Sequence, residues 1–231
     1  MIVAERKSME AVLGMMAPYR KILIVGCATC TSVCLAGGER EVATLAPLVR
    51  MARQTRGEPP LETLEATAQR KCDREFLMPL APQVEAAEAV FSMGCGCGVQ
   101  LLAETFPNRR VFPLLDTKFM GVTVEPGWWA ERCRGCGECI LDRTGGICPI
   151  TRCSKGLLNG PCGGYRNGKC EVDPTVDCGW LLIFERLKAL GELERMREIL
   201  GPKDWSVAAV GRPRRVVRQD VQAGHDKEVP A

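Results

Sequence analysis

The chain has 231 residues, 46% of them hydrophobic, with a formal net charge of +3. That length suits one large domain or two small ones. The near balance of charge argues against a phosphate-seeking nucleic-acid surface, and 5% aromatic content leaves few rings for base stacking. No apolar run reaches the roughly 18–20 residues of a membrane span. Residues 1–20 mix Glu5, Arg6, Lys7 and Glu10 with apolar residues and lack the continuous apolar stretch of a signal peptide. A cytoplasmic location is expected.

In chain order, residues 1–20 read as an amphipathic helix, with Met9, Val12, Leu13 and Met16 at helical spacing. Residues 21–26 form a short apolar run closed by Gly26, the pattern of a buried parallel strand. A cysteine-rich turn leads into a helix over 41–54, with Val42, Leu45, Leu48, Val49 and Ala52 on one face. A second strand is expected over 61–66. A helix over 75–87 is interrupted early by Pro79 and Pro82. A third strand over 89–93, a helix over 98–106 and a fourth strand over 110–115 follow. This alternation predicts a small open α/β parallel sheet, Rossmann-like or flavodoxin-like, over residues 1–126. Residues 127–205 form a second, irregular cysteine-rich domain. It ends in a helix over 180–200, with Leu181, Phe184, Leu187, Leu190 and Leu193 along one side. Residues 206–231 read as a flexible tail.

Cysteine is the compositional outlier: fourteen residues, against a single histidine, His225. In a reducing compartment so many thiols are not expected to pair as disulfides, and soft metals are the alternative partner. With one imidazole in the chain, all-cysteine ligation remains, by iron–sulfur clusters or by zinc.

In the first half, Cys27, Cys30 and Cys34 follow the first strand, Cys72 follows the second, and Cys95 and Cys97 follow the third. Parallel strands point the same way, so these groups are predicted to converge at the carboxyl edge of the sheet, where α/β folds place ligands. Cys30, Cys34, Cys72 and Cys95 are the expected ligands, with Cys27 in reserve and Cys97 read as a packed thiol. Gly26, Gly94, Gly96 and Gly98 suit sharp turns and N–H donation to cluster sulfides.

In the second half, Cys133, Cys136 and Cys139 carry the C-x2-C-x2-C spacing that wraps three corners of a 4Fe–4S cube. Cys148 precedes Pro149, as the fourth cysteine of that pattern does, but eight residues intervene instead of three. Cys153, Cys162, Cys170 and Cys178 complete eight thiols, the number two clusters need. Zinc is the competing metal at one of these sites. Arg132, Arg134, Arg143 and Arg152 would raise a cluster's potential, and Trp128, Trp129 and Trp180 are expected to pack around the cysteine-rich domain.

The runs Cys133-Arg-Gly-Cys-Gly-Glu-Cys139, Thr144-Gly-Gly-Ile-Cys-Pro149 and Arg152-Cys-Ser-Lys-Gly-Leu-Leu-Asn-Gly-Pro-Cys-Gly-Gly164 resemble the cysteine-rich methylenetetrahydrofolate reductase C-terminal domain. That domain occurs in the small, non-catalytic iron–sulfur subunit of bacterial methylenetetrahydrofolate reductases. The resemblance extends through Gly26-Cys-Ala-Thr-Cys30, Cys34-Leu-Ala-Gly-Gly38 and Gly94-Cys-Gly-Cys-Gly98. It implies two or three 4Fe–4S clusters on this chain and a TIM-barrel partner subunit carrying FMN or FAD. It also implies a further electron donor such as ferredoxin or a heterodisulfide-reductase-like protein. The rival expectation is a zinc- or cluster-stapled scaffold of the same complex that conducts no electrons.

Overall fold

The computed structural model describes residues 1–208 and 214–218; His225 and most of the expected tail, 206–231, lie outside the described residues. The chain divides into two compact units, Met1–Arg132 and Cys133–Ala231.

The first unit is built on a four-stranded, wholly parallel sheet of β2 (Lys21–Cys27), β3 (Glu62–Ala68), β4 (Ala89–Ser92) and β5 (Arg110–Pro113), in the order β3-β2-β4-β5. Counting the strands of this sheet alone, the order is 2-1-3-4, the flavodoxin-like arrangement, and its switch point falls between β2 and β4. Alternation along β2 explains the two layers. Ile22 and Ile24 pack with Val12, Leu13 and Met16 of α1 (Met9–Met16) and with Val42, Leu45 and Val49 of α3 (Glu39–Thr55). Leu23 and Val25 face the other way, onto Val84 of α4 (Ala81–Ala86) and Leu102 of α5 (Gly96–Thr105). Between β3 and α4 the two prolines shorten the expected helix to a pair of 3-10 turns before α4 begins.

Phe91 of β4 anchors the first layer. It is fully buried, stacks on Phe112 with ring centres 4.9 Å apart, and meets Tyr19 edge-on at 6.0 Å. Phe91→Ala should therefore cost about 3–5 kcal/mol of stability, read as a lower urea midpoint.

The expected helix over 1–20 is corrected at its start. Ile2–Arg6 is a strand, β1, paired antiparallel with β6 (Leu115–Glu125), and only Met9–Met16 is helical. The pairing partner lies more than a hundred residues away, so helical spacing in the local sequence could not reveal it. With β7 (Trp128–Cys133) these strands form a second sheet, β1-β6-β7, which the sequence reading lacked. Its inner residues Val3, Ala4 and Leu115 pack on Cys34 and Ala36, with Trp129 at the margin. Trp129 thus belongs to the first unit's packing and not to the cysteine-rich domain, while Trp128 is exposed.

The second unit has little regular structure: α6 (Pro149–Arg152), α7 (Gly179–Leu190) and short 3-10 turns. The helix expected over 180–200 stops at Gly191, whose φ of 71° closes α7 with a left-handed cap. Its buried face overlaps the expected one only in part, at Leu187 and, at the margin, Leu181. Trp180, Ile183 and Leu187 are buried, while Leu190 and Leu193 are exposed. Among the described residues no helix is long and apolar enough to cross a membrane.

Candidate metal centres

The carboxyl edge of the parallel sheet collects the first cysteine group. Cys27 ends β2, Cys30 opens the short α2 (Cys30–Val33), and Cys34 closes it. Cys72 follows β3 by four residues, Cys95 is the N-cap of α5, and Cys97 lies in the first turn of that helix. Thr31 ties α2 to the end of β4, its hydroxyl donating to the Met93 carbonyl at 3.3 Å. Thr117 of β6 accepts the Gly96 N–H at 2.9 Å.

Neighbouring cysteines act on the ionisation of Cys72 and Cys97. Burial raises Cys72, and the neighbouring Cys95 and Cys27 raise it further. Burial also raises Cys97, with Cys95 adding to the effect. Burial would raise Cys27 too, but hydrogen bonds from Thr29 and the Lys71 backbone N–H outweigh it, and its pKa is lowered. Cys34 stands apart from that set. Burial raises its pKa, its sulfur faces the carbonyls of Ala4 at 3.8 Å and Thr31 at 3.7 Å, and its electrostatic neighbour is Cys30. Cys97, read from sequence as a packed thiol, is exposed.

Beneath this group sits a residue the sequence reading missed. Lys71 is fully buried and donates to the Val25 carbonyl and the Ser92 hydroxyl, both at 2.7 Å. Burial pushes its pKa down to about 7, against the opposing pull of Cys27 and Cys95. Lysine is ordinarily a surface residue, so its position beside Cys72 carried no sequence signal. Lys71 also revises the reading of two glycines. Gly94 and Gly98 have ordinary negative φ and make no special turn. A Cβ at Gly94 would meet Lys71 Nζ at 2.7 Å, and one at Gly98 would meet Lys71 Cβ at 2.8 Å. They are glycine because the lysine side chain occupies that space.

In the second unit Cys153, Cys162, Cys170 and Cys178 line one small pocket, together with Lys155, Tyr165, Glu171, Gly179 and Trp180. Two of the four hold helix ends, Cys153 as the C-cap of α6 and Cys178 as the N-cap of α7. Cys170 lies within an irregular segment closed by the isolated bridges Arg166–Lys169 and Lys169–Asp177, and Cys162 precedes it. The Cys162 thiol faces Glu171 at 3.6 Å, and Glu171 pairs with Lys155. The Cys170 thiol lies 3.4 Å from the Ser154 hydroxyl, which lowers its pKa.

Cys133 ends β7 and Cys136 and Cys139 follow it, Cys133 and Cys139 exposed and Cys136 half-buried; the Gly135 N–H donates to the Cys133 sulfur at 3.4 Å. Cys148 is the N-cap of α6. Of the arginines read as electrostatic tuners, Arg143 pairs with Glu198 at 3.1 Å. All fourteen cysteines are free thiols. Among the described residues no three cysteine, histidine or carboxylate side chains are drawn tightly enough together to hold a metal ion as they stand. The donor chemistry nevertheless suits soft metals: four thiols around one pocket, and backbone N–H groups directed at sulfur.

Residues 112–206 match a protein-family model described as methylene-tetrahydrofolate reductase C terminal. The match runs from the end of β5 through β6 and β7 and across the whole cysteine-rich segment. No curated protein and no solved structure matches the chain.

Proposed function

We propose that this chain is an iron–sulfur electron-transfer subunit that exchanges electrons with the flavin of a methylenetetrahydrofolate reductase catalytic partner. The observation that carries the reading is the lining of one pocket by Cys153, Cys162, Cys170 and Cys178, inside a segment matched to a methylene-tetrahydrofolate reductase domain. Four thiolates around one small space are the ligand set of a 4Fe–4S centre, which supplies one-electron redox capacity when bound. The chain's own part is to hold such centres, to direct N–H groups such as that of Gly135 toward sulfur, and to exclude water with Trp180. Cys133, Cys136, Cys139 and Cys148 form the second C-terminal ligand set in this reading. The N-terminal site draws on Cys27, Cys30, Cys72, Cys95 and Cys97, with Cys34 on the same loop. The partner is a flavin-bearing TIM-barrel subunit, and ferredoxin or a heterodisulfide-reductase-like protein is the proposed donor.

A scaffold role with zinc in place of iron is the second reading. It is favoured by one observation: Cys148, Cys153 and Cys178 all sit at helix caps, where a metal staples structure. Anaerobically purified protein separates the two. The electron-transfer reading expects about eight to twelve irons per chain and visible absorption bleached by dithionite. Stoichiometric zinc with less than about one iron per chain would make the scaffold reading the correct one.

A further inference from the structure

The buried lysine is unused by anything above. Its side chain runs past Gly94 and Gly98 to end between Val25 of β2 and Ser92 of β4. These are the two strands that flank the switch point, and the next residue in the chain is Cys72. One residue, three positions past the end of β3, therefore bonds the ends of β2 and β4. A fully buried ammonium group is costly unless it is hydrogen-bonded and faces negative charge. The Val25 carbonyl and Ser92 hydroxyl, both at 2.7 Å, provide those bonds. The absence of side chains at 94 and 98 keeps the channel for Lys71 open.

We propose that Lys71 is the positioning residue of the N-terminal cysteine group, tying the ends of β2 and β4 together beneath Cys27, Cys72 and Cys95. The Met93 N–H to Val25 carbonyl bond at 2.8 Å and the Thr31 hydroxyl to Met93 carbonyl bond also cross the switch point, but Lys71 is the buried side chain that bonds β2 and β4 at once, and a ligand set drawn from separate strand ends needs such a fixed base to reach one centre. The inference rests on the metal-binding reading, but it makes a claim about the metal-free chain as well.

The test compares the full-length wild type with Lys71→Met, Gly98→Ala and Gly96→Ala. Gly98→Ala displaces the lysine stem and leaves its charge. Gly96→Ala is the control, since a Cβ there meets only Thr117 Oγ1 at 3.7 Å. Hydrogen exchange on the metal-free chain should show residues 25–28, 69–73 and 93–98 opening together in Lys71→Met and in Gly98→Ala, and staying protected in Gly96→Ala. After anaerobic loading with iron and sulfide, the first two variants should show an altered electron-paramagnetic signature at the N-terminal centre alone. Unchanged exchange in Lys71→Met overturns the proposal. So does an effect of Lys71→Met on the loaded signature that Gly98→Ala fails to share, because the role is then one of charge and not of position. Should the wild type take up no iron, the metal-binding reading fails, and the exchange experiment alone still decides the role of Lys71.

Discussion

Stripping metal from anaerobically purified protein with a strong chelator should unfold residues 133–178 and leave the parallel sheet folded. The expected effect is large because that segment has almost nothing else to hold it. Its only helix is the four-residue α6, its strand pairing is limited to isolated bridges, and most of its side chains are half-buried or exposed. Structural metal in small cysteine sites contributes about 10–16 kcal/mol of apparent binding free energy, which is folding free energy when no site exists in the unfolded chain. Trp180, Ile183 and Leu187 of α7 form a small core with Cys153 and Cys178, so some collapse around α7 should survive. Limited proteolysis reads the outcome: cleavage within 133–178 rises by orders of magnitude, while the first unit resists as before. Cys136→Ala should produce a milder form of the same change. A chelated chain as resistant as the loaded one would mean that the α7 core, and not metal, holds the segment.

Gly37→Ala should separate the cysteine-bearing turn of β2 from the end of β4. A Cβ at Gly37 would run into the Met93 carbonyl, and both colliding groups are backbone, so no flexible side chain can yield. Leu115 Cδ1, at 3.0 Å, closes the remaining direction. The Gly37 carbonyl accepts the Cys27 N–H at 2.9 Å, and the Gly37 N–H donates to the Thr31 carbonyl at 2.9 Å, so displacement propagates into the loop of Cys30 and Cys34. Overpacking of this kind costs about 1–3 kcal/mol or more. The N-terminal centre should be lost from the spectrum, and the C-terminal signals should remain. Gly14→Ala is the matched control. Nothing lies within 4 Å of its Cβ, and in a helix that substitution should stabilise by about 0.5–1 kcal/mol. Equal stability and equal iron content in Gly37→Ala and wild type would show that the two loops need not touch.

Local pattern carried the parallel sheet, because its signals are local. Residues 22–26 are apolar without alternation, as a strand covered on both faces must be, and cysteines fall at or just beyond the strand ends. Together these two features imply a gathering of cysteines at the carboxyl edge of the sheet. The spacing of Cys153, Cys162, Cys170 and Cys178 gave their number but not their grouping around one pocket. Irregular backbone has no period to read, and the isolated bridges around Cys170 join residues of no distinctive pattern.

Three things were decided only by tertiary structure. Ile2–Arg6 became a strand because β6 offered it a free edge, and long-range pairing overrides a weak helical pattern. The buried face of α7 turned to Trp180, Ile183 and Leu187 because these pack with Cys153 and Cys178, while the helix ended at Gly191, short of Leu193. Lys71 went inside against its ordinary preference. Its stem fills the space that Gly94 and Gly98 leave open, and the Val25 carbonyl and Ser92 hydroxyl satisfy its ammonium, a combination that exists only once three strands have come together.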